Sequence, residues 1–133
     1  MATSLKSVGA ITLFVADPQR SKTFYADVFA APAVHEDEDS VAFKLENTIV
    51  NLLKADAASE LITPAPVAAG GSGSRFQLTI RVDDADAACA ELATKGVELL
   101  NGPIDREWGV RTAAFSDPDG HVWELAQPLA GAT

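Results

Sequence analysis

FVADPQRSKTFYADVF (14–29) decides the fold, because one short run holds the end of a strand, a helix start and a helix. Asp17 stands where a helix N-cap belongs, and Pro18 takes the first helical position, where a missing N–H costs no hydrogen bond. Working back, Gly9–Val15 alternates as a short buried strand. Ile11, Leu13 and Val15 share one face, while Ala10, Thr12 and Phe14 share the other. Working forward, Phe24, Tyr25, Val28 and Phe29 form an apolar stripe, and the helix is expected to end near Ala30 to Pro32. Short strands then fit 33–35, 41–45 and 48–53. Glu46-Asn47 makes the last turn, since Asn tolerates a left-handed backbone.

The same scheme returns downstream. Phe76–Val82 reads as a strand, Asp83-Asp84 opens a helix, and Ala85, Ala88, Cys89 and Leu92 fall on one helical face. Gly96 is placed to stop that helix, with Lys95 complementing its dipole. Strands follow near 97–99, 110–115 and 121–126, the last two joined by Asp117-Pro118-Asp119-Gly120, a strong turn signal. The order is strand–helix–three strands, twice. Setting Val15-Ala16-Asp17 over Val82-Asp83-Asp84 puts Ala10 over Gln77 and Thr12 over Thr79. Setting Asn47 over Gly120 puts Asn51 over Glu124. Between the halves, 55–74 is rich in Ala, Gly and Pro without sustained periodicity, and it reads as a linker or mobile loop.

Composition narrows the function classes. The 133 residues are 47% hydrophobic and carry a net charge of −9, which repels phosphate backbones and anionic headgroups and argues against nucleic acid or membrane as partner. No apolar run reaches the roughly 20 residues of a membrane span, and MATSLKSVGA lacks a signal-peptide core. A single cysteine, Cys89, excludes an internal disulfide framework and any multi-cysteine zinc site. A cytoplasmic single domain is the expectation.

FVADPQRSKTFYADVF (14–29), VDD (82–84) and FSDPDGHVWELAQP (115–128) together resemble the vicinal oxygen chelate superfamily, which includes glyoxalase I, extradiol dioxygenases and bleomycin-resistance proteins. The resemblance implies an α+β fold of two βαβββ modules, near 7–54 and 75–128, each an incomplete barrel, around a cleft and in a homodimer. It also implies a divalent metal held from the first and last strands of the modules. Carried over residue by residue, those ligand positions fall on Ala10, Asn51, Gln77 and Glu124. A catalytic site of this kind wants about three His or carboxylate ligands plus an open position. One carboxylate, two amides and a methyl group fall short, so no metal cofactor is expected.

Neither histidine repairs the set. His121 lies three residues before Glu124 and so points to the opposite strand face, while His35 sits in the acidic run His35–Asp39, read as a solvated loop. Glu124 has two readings: a polar anchor, base or weak ligand, or a structural carboxylate paired with Arg81 or Arg111. Trp108 is an aromatic wall for a ligand or a packing residue at a module or dimer surface, and Arg111 is a candidate anion contact. Phe14 and Leu53 are expected beside Thr12 and Thr79. The leading expectation is metal-independent binding of a small organic molecule by Phe14, Asn51, Gln77, Trp108, Arg111 and Glu124, as in drug-sequestering relatives. The alternatives are a metal-dependent glyoxalase-like lyase, isomerase or dioxygenase, and a dimer with a vestigial cleft.

Overall fold

A computed structural model describes residues 5–130, so the first four residues of the stretch read for a leader lie outside it. Local chemistry sets the elements. Strand β1 (Ala10–Val15) ends at Asp17, whose side chain accepts the Gln19 amide at 3.0 Å and starts helix α1 (Pro18–Phe29). The helix stops at Ala30, at φ 51° the one described non-glycine residue with a positive φ. That corrects the expectation for Asn47. Its turn closes through the Leu45 N–H donating to the Thr48 carbonyl, without a left-handed Asn.

Strands β2 (Ala33–Glu36), β3 (Ser40–Lys44) and β4 (Ile49–Lys54) complete the first sheet, ordered β1-β4-β3-β2 with β1 and β4 parallel. Leu13, Val15, Val41, Phe43, Val50 and Leu52 are buried on the face that α1 covers. Tyr25 of α1 stacks on Phe29 and tilts against Phe43, their ring centroids 5.2 and 6.1 Å apart. Burying each such side chain contributes about 1.5–3 kcal/mol. The chain then enters helix α2 (Ala55–Ile62), inside the stretch expected to be a loop. The Ala-rich run ADAASELI has good intrinsic helix propensity. It has no side-chain cap, and eight residues are too few to display a period.

The second unit repeats the plan from Ala69 onward, after a first unit that ends at Ala68. Strand β5 (Gln77–Arg81) leads to helix α3 (Ala85–Thr94), whose first turn is capped by Asp84 accepting the Ala87 amide at 3.0 Å. Strands β6 (Leu99–Asp105), β7 (Val110–Ser116) and β8 (Val122–Pro128) build a sheet ordered β5-β8-β7-β6. Both sheets are open and mixed. Phe115, Trp123 and Leu125 are buried on the face toward α3, which is tied down by the Ala85 N–H donating to Gln127 Oε1 at 2.8 Å. Cys89 is buried on α3 itself, and desolvation pushes its thiol pKa up.

Strand β6 begins and ends later than the expected 97–99. Gly102-Pro103 reads as a loop signal, yet the strand accommodates it as an irregularity between Asn101 and Ile104. The β7–β8 turn is organised by Asp117, whose Oδ1 accepts the amides of Asp119 and His121 at 2.9 Å each. His121 Nδ1 meets Asp117 Oδ2 at 2.8 Å, and this hydrogen bond raises the imidazole pKa above its ordinary 6.5. A raised folded pKa contributes stability in full below pH 6.5 and loses it as pH rises through the folded value. The melting temperature of the wild type is therefore expected to exceed that of His121→Gln most at pH 6 and least in mild alkali. A gap that is constant or widens with pH contradicts the assignment.

Candidate functional site

The strand that carries Glu124 has Trp123 and Leu125 buried toward α3, so strand alternation turns the carboxylate to the opposite face. Within the second unit that face has no helix on it. Glu124 stands in register between Thr79 of β5 and Ala114 of β7, half-buried, and its Oε1 accepts the Thr79 hydroxyl at 3.0 Å. Neither arginine expected as its partner reaches it. Arg111 lies on the α3 face, where Asp86 and Asp105 each hold its guanidinium at 2.9 Å and raise its pKa. Arg111, expected as an anion contact or as a partner of Glu124, is engaged instead by these two carboxylates. Its charge is already compensated, and its register position opposite Gln127 places it with Phe115 and Trp123.

The first unit shows the same strand pairing with different chemistry. Asn51 lies in register between Thr12 and Ala42, as Glu124 lies between Thr79 and Ala114. The internal alignment that set Thr12 over Thr79 and Asn51 over Glu124 is thus reproduced by the strand pairing. Phe14, half-buried, pairs with Leu53 on this same face, opposite the one that α1 covers. Ala10 and Gln77 occupy equivalent first-strand positions, both exposed.

A divalent metal of the kind the resemblance implies does not fit this donor set. Glu124 is the one anionic donor among Ala10, Asn51, Gln77 and Glu124, and it already accepts a hydrogen bond from Thr79. Two neutral amides are weak ligands, and a methyl group is none. Among the described residues no group of three or more His, Cys, Asp or Glu side chains is arranged to hold an ion. His35 is spent on Asp37 at 3.1 Å, and Asp37, pulled to about 2 by the Asp39 amide and then by His35, serves the β2–β3 turn.

Trp108 sits in the tight β6–β7 turn, closed by the Gly109 N–H donating to the Arg106 carbonyl at 3.1 Å, and its side chain is 70% exposed. The residue that sequence reasoning passed over is Arg106. Its Nε donates to Thr112 Oγ1 at 2.9 Å and its Nη2 to Asn101 Oδ1 at 3.3 Å, both neutral partners. Thr112 shares the face of Ala114 and Glu124, so Arg106 brings onto that face a guanidinium with no carboxylate partner among the described residues.

A family model described as Glyoxalase/Bleomycin resistance protein/Dioxygenase superfamily matches residues 7–125. The uncharacterized protein YraH of Bacillus subtilis is 32% identical over 123 residues, covering 90% of this chain and 96% of its own. Among solved structures, a glyoxalase/bleomycin resistance protein/dioxygenase from Nocardioides superposes with a TM-score of 0.87 at 24% identity, over 99% of this chain and 89% of that one. TnmS3, an antibiotic binding protein from a Streptomyces species, superposes with a TM-score of 0.72 at 28% identity, over 96% of this chain and 98% of that one.

Proposed function

The chain belongs to the Glyoxalase/Bleomycin resistance protein/Dioxygenase superfamily, and from that premise we propose that it binds a small organic molecule without a catalytic metal. The observation that carries this reading is Glu124: a half-buried carboxylate on a helix-free sheet face, hydrogen-bonded to one hydroxyl and paired with no cation among the described residues. Such a group is a ready acceptor for a ligand N–H or O–H, and its side-chain hydrogen-bond partner among the described residues is the Thr79 hydroxyl, which is not the second acid or base that a proton-transfer reaction wants. Gln77 adds an amide on the same face, and Asn51 and Phe14 offer an amide and a ring on the matching face of the first unit. The likeness to an antibiotic binding protein supports an organic ligand over an inorganic ion.

The reading includes a cytoplasmic homodimer. Exposed Leu100 and Ile104 on the edge strand β6, with Trp108 in the turn beyond it, support a self-association surface. No helix among the described residues is long and apolar enough to cross a membrane.

Thermal-shift screening against aromatic antibiotics, with no metal added, tests the proposal. A compound at about 100 times its Kd stabilises by about 2.7 kcal/mol, enough to raise the midpoint by several degrees. Glu124→Ala is expected to abolish that rise while moving the ligand-free midpoint by no more than about one degree, because its partner Thr79 is exposed. A rise that survives in Glu124→Ala contradicts the assignment. A transition metal held stoichiometrically by protein purified without added metal contradicts the metal-free part.

A further inference from the structure

We propose that the helix-free face of the second unit selects an amphoteric ligand, taking its anionic or carbonyl oxygen on Arg106 and its protonated amine on Glu124. This rests on the reading that this face is where the ligand binds. Two opposite charges stand on one face of one sheet and are not spent on each other. The Arg106 guanidinium is oriented by Thr112 Oγ1 at 2.9 Å and Asn101 Oδ1 at 3.3 Å, while the Glu124 carboxylate leans the other way, to Thr79 Oγ1 at 3.0 Å. Neither has an ion-pair partner among the described residues, although the chain spends Asp86 and Asp105 together on Arg111 close by in sequence.

Strand register relates Glu124 to Thr112, the residue that orients Arg106. Thr112 pairs with Ala126 and Ala114 with Glu124, so Thr112 and Glu124 are diagonal neighbours across β7 and β8. Diagonal positions on one face lie about 7–8 Å apart. The other two corners are Ala114, which is buried, and Ala126, which is half-buried, and neither small side chain puts a charge between the two groups. Thr112 is 1% exposed, so the hydroxyl that orients Arg106 is itself fixed by packing. A guanidinium held by neutral oxygens keeps N–H groups and its full charge for a ligand. A ligand of single charge satisfies one end and leaves the other group desolvated without compensation.

The test compares four related aromatic probes by amide NMR titration: para-aminomethylbenzoate (zwitterion), para-methylbenzylamine (cation), para-toluate (anion) and para-toluamide (neutral). In the wild type the zwitterion is expected to bind at least about tenfold tighter than each of the others, shifting amides of β5, β7 and β8. Arg106→Gln, which keeps a donor for Thr112, is expected to erase the zwitterion's advantage over para-methylbenzylamine and keep its advantage over para-toluate. Glu124→Gln is expected to do the reverse. If Arg106→Gln lowers the melting temperature sharply, Arg106→Lys supplies the charge-retaining comparison and is expected to preserve the advantage in part. Equal binding of all four probes, or advantages unchanged by both substitutions, overturns this proposal and leaves small-molecule binding standing. Absence of shifts on this face with every probe, and with every antibiotic that stabilises the protein, overturns both.

Discussion

Replacing Gly102 with Ala is expected to lower the thermal midpoint by about 10–15 °C. Gly102 has φ 89°, and a Cβ built there stands 2.3 Å from the Thr112 carbonyl oxygen and 2.7 Å from the Ala113 Cα. Both obstacles are backbone atoms of the neighbouring strand, so no rotamer change relieves the contact. A left-handed conformation costs Ala about 1–2 kcal/mol, and the overlap adds about 1–3 kcal/mol as β6 is forced away from β7. The same displacement pulls Asn101 and Arg106 from their places over Thr112, so the variant is expected to lose the proposed charge selectivity along with stability. Gly71→Ala is the control, since Gly71 also has a positive φ of 81° but open space where its Cβ would sit. Scanning calorimetry of the two variants decides the matter. A midpoint for Gly102→Ala within about two degrees of Gly71→Ala would refute the close approach as its cause.

Asp117→Ala is expected to cost about 3 kcal/mol, read as a drop in the urea midpoint of about 1 M or more. The Asp117 side chain is fully buried, and its oxygens take the Asp119 amide, the His121 amide and His121 Nδ1. Removing them orphans two backbone donors in the turn that joins β7 to β8, the two strands carrying Thr112 and Glu124. Asp117→Asn keeps an acceptor for both amides and is expected to lose markedly less. Equal losses for the two substitutions would mean that charge, and not the amide acceptor, holds the turn.

Much of this architecture is legible in the chain because the chemistry of its turns is written twice. Asp17-Pro18 and Asp83-Asp84 mark both helix starts, and Asp117–Gly120 marks the hairpin. The superposition of Asn51 on Glu124 follows from turn positions alone, and the observed pairings Thr12–Asn51 and Thr79–Glu124 reproduce it residue for residue. Helix α2 escaped because eight residues without a capping side chain carry no period and no start signal. The face that Arg111 occupies is hard to read from sequence for a different reason. Alternation along β7 from the buried Phe115 puts Arg111 with the helix-facing residues, and its proximity to Trp108 and Gly109 in sequence hid that parity.

Arg106 was less accessible to such reasoning. Its position depends on the irregular pairing at Gly102-Pro103 and on the turn at 106–109, which together set where β6 ends against β7. Sequence alternation does not carry through a bulge, because one inserted residue exchanges the two faces. The polar face of the second unit therefore became visible through register, with Glu124 expected and Arg106 supplied by the fold.

The most direct test is a crystal structure of the protein with the antibiotic that most raises its melting temperature, grown without added metal. The account predicts the compound within hydrogen-bond distance of the Glu124 carboxylate, with no ion between them. A metal ion bound to Glu124, or a compound seated away from the face that carries Thr79 and Glu124, would contradict it.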